Sequence, residues 1–164
     1  MTQSVPPQPT DGNPFAQQQP VPVPPAPPAP ARSNVALGVL AAVVAALVSA
    51  GIYGAIVGAT EYEIGFAAIG VGFVVGFAAG KVGGANPALP VLSGLLSLGA
   101  VYLGQLVGAA ILAADLLGVS VTEMFTGHLD LLMEAWQESA DPMTFLFLAI
   151  GAFTAYSAAK KAAA

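Results

Sequence analysis

Four long apolar runs, each closed by a short polar stretch, set the pattern of the chain. Val35 to Ala59 carries no charge over about 25 residues, more than the roughly 20 that take a helix across about 30 Å of hydrocarbon. Ser33 stands where an N-cap would accept the first free amides of that helix. A second run covers residues 62–80 and opens at Thr60-Glu61-Tyr62-Glu63. This tetrapeptide reads as a capping box, in which Thr60 accepts the Glu63 amide and Glu63 reaches back. Lys81 closes the run at the negative end of the helix dipole, and Gly83-Gly84 with Asn86-Pro87 supplies a turn. Pro90 suits the first turn of a third helix over residues 90–114. Asp141-Pro142 pairs an N-cap with proline at the first helical position, ahead of a fourth run over residues 143–159. At about 17 residues this run meets the lower limit for a span, and Lys160-Lys161 ends it.

Residues 115–141 follow a different pattern. Ser120-Val121-Thr122-Glu123 is a second capping-box candidate, and Met124, Phe125, His128, Leu129, Leu132, Ala135 and Trp136 then recur at helical spacing. Asp130, Glu134 and Glu138 lie four apart on the polar flank, so an acidic amphipathic helix is expected over residues 121–139. Either it lies on lipid with Trp136 at headgroup depth, or it docks on the outer ends of the other helices. Interfacial helices usually draw on Lys and Arg, so its acidity favours docking on protein. The predicted fold class is therefore all-α membrane: a four-transmembrane-helix bundle, with this outer helix between helices three and four.

Within the runs, small residues repeat every fourth position. Ala42, Ala46, Ala50, Gly54 and Gly58 form one ridge, and Gly72, Gly76 and Gly80 a second. Ala100, Gly104 and Gly108 form a third, and Gly151, Ala155 and Ala159 a fourth. Such ridges let helix backbones approach closely in lipid, where packing replaces the hydrophobic drive. Ala50, Gly54, Gly58, Gly72, Gly76, Gly80, Gly104, Gly108 and Gly151 are the expected helix-packing positions. Packing inside the monomer is the first reading of the ridges, and an interface between copies the second. Tyr102 and Gln105 are the most polar residues of the third run, and an unsatisfied amide in hydrocarbon is costly. Gln105 is therefore expected to face a partner helix.

Composition sharpens this picture. The chain has 164 residues, of which 56% are hydrophobic and 8% charged, with mean hydropathy +0.77, so it reads as a membrane protein. Residues 1–32 hold most of the prolines and are expected to be a disordered tail with polyproline II bias. Its PxxP matches, Pro22 to Pro25 and Pro25 to Pro28, suit either a solvated tether or docking on a cytoplasmic protein. Residues 33–164 then make up the transmembrane domain. Only four Lys and Arg residues and a net charge of −5 argue against nucleic acid as a partner. With its N-terminus in the cytoplasm, Arg32, Lys81, Lys160 and Lys161 all fall inside, which also places the C-terminus there. Heavy use of Ala, Gly, Val and Pro with little Lys points to a GC-rich bacterial genome, so the expected location is a bacterial cytoplasmic membrane.

Candidate chemistry is sparse. No span contains the ionisable side chains that catalysis or proton transport in the membrane uses. Gly76 to Lys81 has the wrong glycine spacing for a phosphate loop, and Val82 replaces the metal-binding hydroxyl. His128, Asp130 and Glu134 do not converge as zinc ligands on one helix, and Ser49, Ser93 and Ser97 have no activating base in the membrane. Zero cysteines remove disulfides and thiolate chemistry. No enzyme activity, catalytic residue, cofactor or metal is expected.

The stretch Glu61-Tyr62-Glu63-Ile64-Gly65-Phe66-Ala67-Ala68-Ile69-Gly70-Val71-Gly72, continuing to Gly80, resembles small, uncharacterised bacterial integral membrane proteins that are glycine-rich and multi-span. Asp141-Pro142-Met143 through Ala155-Tyr156 is similar to their final span. The resemblance implies a glycine-rich hairpin followed by a last span with a basic end, and it implies no activity. The function expected from the sequence is a structural or interaction role in the bilayer with a proline-rich tether, through a homo-oligomer or a membrane-protein partner. The alternative is a subunit of a transporter or channel assembled by helix packing.

Overall fold

The computed structural model describes residues 33–62 and 64–164; the proline-rich stretch 1–32 and Glu63 lie outside the described residues, and with them the expected disorder of the tail. Six α-helices and no strand occur among the described residues: α1 (Val35–Thr60), α2 (Ala67–Gly83), α3 (Ala88–Leu117), α4 (Val121–Gly127), α5 (Leu129–Ser139) and α6 (Pro142–Ala162). With 26, 30 and 21 residues, α1, α3 and α6 are long and apolar enough to cross a membrane, which marks a membrane protein. The 17 residues of α2 reach only about 25 Å at 1.5 Å per residue, short of the bilayer core by about one turn.

Thr60 and Glu61 do not open α2, as the capping-box pattern suggests; they close α1, and α2 starts at Ala67. The Thr60 hydroxyl donates back to the Ile56 carbonyl at 2.7 Å, and Glu61 adopts a left-handed backbone (φ 59°) while its N–H caps the Val57 carbonyl. A threonine hydroxyl serves either end of a helix, and here the carbonyl of the preceding turn wins. The chain then makes a turn at Ile64-Gly65-Phe66, whose carbonyls accept from Ala67, Ala68 and Ile69 at 2.9–3.1 Å, and α2 runs from Ala67 to Gly83 rather than over 62–80. The N-cap of α1 is Asn34, not Ser33, because its Oδ1 accepts the Leu37 N–H at 3.1 Å.

Further boundaries differ from the sequence pattern. α3 starts at Ala88 and continues past residue 114 to Leu117, where Gly118 (φ 67°) caps it. The single amphipathic helix expected over 121–139 is two helices, broken at His128 (φ −132°, ψ 28°) directly after Gly127. Ser120 does cap α4, accepting the Glu123 N–H at 3.1 Å. α6 starts at Pro142 behind Asp141 and runs past residue 159, so that Lys160 and Lys161 lie within its last turn.

Small residues set the packing. Gly54 meets Gly104 and Val107, and Gly58 meets Ile111, so the register of α1 and α3 advances in step and the two run parallel. Gly72, Gly76 and Gly80 of α2 meet Gly151, Ala155 and Ala159 of α6 in the same ascending order, which makes this second pair parallel too. Gly38 near the start of α1 meets Gly83 at the end of α2, so the pairs are antiparallel to each other. One core is mostly alanine and valine, with Ala42, Ala46 and Ala50 of α1 against Val71, Val75 and Ala79 of α2 and Ala100 and Val101 of α3. A second core joins Leu106, Ala110 and Ala114 of α3 to Met124 of α4 and Leu132 of α5. Meanwhile Leu37, Leu40, Val44, Leu47, Val48 and Ile52 of α1 are exposed. Small residues inside and large aliphatics outside is the arrangement that lipid favours, since only close backbone packing rewards a buried position there.

Candidate functional site

All nine helix-packing positions read from the sequence lie on faces between helices of this chain. A side-chain carbon added at Gly72, Gly76 or Gly80 would overlap the carbonyl oxygen of Gly151, Ala155 or Ala159. The same atom at Gly104 would sit 3.1 Å from the Ala50 carbonyl oxygen, and at Gly151 2.9 Å from that of Ala68. Gly54, Gly58 and Gly108 are filled instead by the side chains of Val107, Ile111 and Val57. Two positions of the same kind were not singled out by the four-residue reading. Gly38 packs on Gly83, and it extends the α1 ridge by one step ahead of Ala42, so its spacing carries the signal. Gly65, in the turn before α2, is covered by the Phe147 ring, and nothing in its spacing announces that.

The polar groups converge at the other side of this packing, where α5 meets the bundle. Gln105 is buried, and its Oε1 accepts the Trp136 Nε1–H at 2.8 Å. The Tyr102 ring meets the Trp136 indole edge to face at 4.8 Å, and Phe145 of α6 approaches the same indole at 6.3 Å. The partner that Gln105 needs is thus the outer helix α5, and Trp136 docks on α3. Its neighbour in the fold is a cleft of about 150 Å³ lined by Tyr53, Gln105, Asp141, Thr144 and Phe147.

Asp141 serves this cleft as a helix cap. Its Oδ1 accepts the Thr144 N–H at 2.7 Å and the Thr144 hydroxyl at 2.9 Å, while the Thr144 hydroxyl oxygen accepts the Asp141 N–H at 3.4 Å. These bonds, the Thr144 backbone N–H first and its hydroxyl second, hold the Asp141 carboxyl below its ordinary 3.8. The N-cap and N1 proline legible in Asp141-Pro142 therefore fix where α6 starts, and so the depth of the cleft.

The serines divide. Ser93 Oγ donates to the Leu89 carbonyl at 2.7 Å, whereas Ser97 Oγ is buried without a hydrogen-bond partner. The described residues contain no group of three His, Cys, Asp or Glu side chains that could hold a metal ion. The arrangement fastens helices together: a glycine-lined parallel pair on each side, an aromatic and amide clasp holding α5 to α3, and Met124 holding α4. No protein family, curated protein or solved structure matches the chain.

Proposed function

We propose that the chain is a non-enzymatic integral membrane protein of four spans, like the small bacterial membrane proteins it resembles, with a structural or interaction role and with both termini in the cytoplasm. The observation that carries the reading is the pairing of α2 with α6 along Gly72, Gly76 and Gly80. A helix fastened along its length to a spanning helix shares its layer, and the turn at residues 64–66 supplies the length that α2 lacks. The glycine ridges are then spent inside the monomer, which leaves its two ends for partners. One end bears α4 and α5 with exposed Glu123, Asp130, Glu134 and Glu138; the proline-rich stretch of residues 1–31 leads into α1 at the other.

The chain contains no cysteine, so each single-cysteine variant carries the sole thiol. In intact cells, a membrane-impermeant maleimide is expected to label Glu134→Cys but neither Thr2→Cys nor Ala164→Cys. Three spans instead of four would place the termini on opposite sides, and labelling of one terminus alone would sink the topology. The interaction role is tested by crosslinking the intact protein in membranes with and without residues 1–31. Loss of at least one detergent-stable partner is expected on deletion, and an unchanged partner set removes the recruiting role of the tail.

A further inference from the structure

The described charges are segregated along the bundle. Glu61 and Asp115 border one cleft where α1 and α3 end, Asp141 lines the cleft beside Gln105, and the other acids sit on α4 and α5. Lys81, Lys160 and Lys161 occupy the opposite end, where α2 and α6 finish and α3 begins. At that end a groove of about 420 Å³ opens between the α2–α3 turn and the last turn of α6. Its walls are Pro87, Pro90, Tyr156 and Ala159, and Asn86 and Lys160 stand at its rim. The Lys160 ammonium lies 5.6 Å from the centre of the Tyr156 ring, which positions the charge over the groove. α3 starts here and α6 ends here, so their dipole ends offset each other and the Lys160 ammonium supplies the positive charge of the groove.

We propose that this groove is a binding site for one anionic phospholipid, with the phosphate at Lys160 and an acyl chain along Pro90 and Tyr156. The chemistry of the groove changes along its depth in the same order as a lipid does. Charge lies at the water side and apolar carbon below it, and Phe153, one turn deeper along α6 and outside the groove, adds exposed apolar surface beneath it. A basic pocket between spanning helices selects anionic headgroups, because the charge is met at the depth where the phosphate sits. The acidic end of the molecule would repel the same headgroup.

The test uses the full chain in neutral detergent, with thermal unfolding and native mass spectrometry as readouts. Phosphatidylglycerol is expected to raise the melting temperature and stay bound, while phosphatidylcholine with the same chains and glycerol 3-phosphate without chains do neither. Lys160→Gln should weaken phosphatidylglycerol binding by about fivefold, the effect of one lysine charge at a membrane surface. Lys81→Gln, at the same end but outside the groove, should leave it unchanged. Equal binding of phosphatidylcholine, or equal stabilisation by glycerol 3-phosphate, would overturn the proposal. So would a Lys160→Gln protein that binds as before, or a Lys81→Gln protein that loses as much.

Discussion

Gly76→Ile is expected to abolish the folded protein, and Gly70→Ile, six residues earlier on the same helix, to leave it intact. The two substitutions add the same side chain with the same hydrophobicity and the same gain in helix propensity over glycine, so only the surroundings differ. Beside Gly76 stand the carbonyl oxygen, carbonyl carbon and Cα of Ala155, all closer than a Cβ tolerates, whereas nothing lies within 4 Å of the corresponding position at Gly70. Overpacking a core costs about 1–3 kcal/mol when side chains can move aside. Here the neighbour is backbone, and α2 and α6 must separate as whole helices. Separation at the middle contact also opens Gly72 on Gly151 and Gly80 on Ala159, so the cost exceeds that range. Thermal unfolding and gel filtration in mild detergent check it. A Gly76→Ile protein that stayed folded and merely lost a self-association would show that the ridge serves contacts between copies instead.

The ridges were legible because lipid packing writes itself into spacing. Gly54, Gly76, Gly104 and Gly151 need no partner to be recognised, since a small residue every fourth position is the requirement itself. Which ridge meets which was not legible. α1 pairs with α3 and α2 with α6, each in parallel, and nothing in four similar repeats selects those pairs over sequential neighbours. Local polar signals failed where one residue type serves two ends of a helix. Thr60 and Glu61 terminate α1 through a left-handed residue, a position where glycine or asparagine is the usual signal, so the pattern pointed forward to α2. Asp141 succeeded because Pro142 removes the ambiguity: proline suits a first turn and is excluded from a helix interior. The break at His128 had only Gly127 to mark it, since the apolar spacing from Met124 to Leu132 continues across it. Of the site, the need of Gln105 for a partner was legible from its amide in an apolar run. That the partner is Trp136, thirty-one residues away, depends on the return of α5 along α3.

That return is the second large effect. Trp136→Ala is expected to release α5 from the bundle while α1, α2, α3 and α6 stay packed and Met124 still holds α4. The indole contributes the hydrogen bond to Gln105 and ring contacts to Tyr102 and Phe145, and truncating a tryptophan in packed surroundings costs about 3–5 kcal/mol. Residues 129–139 hold to α3 otherwise mainly through Leu132, so the loss falls on this segment, and its amide exchange should rise by at least a hundredfold. The hydrogen bond is separated from the ring contacts by a double-mutant cycle. Gln105→Leu leaves the indole N–H without its acceptor, and Trp136→Phe leaves the buried amide without its donor; each strands a polar group at about 1–3 kcal/mol. Removing both leaves no stranded partner, so the double variant is expected to be less destabilised than the sum of the singles by more than 1 kcal/mol. Trp136 is the only tryptophan, so its emission reports the site directly in Gln105→Leu, where a red shift is expected as water reaches the ring. Additive single effects, with exchange in residues 129–139 unchanged in Trp136→Ala, would mean that α5 is held by something other than this clasp.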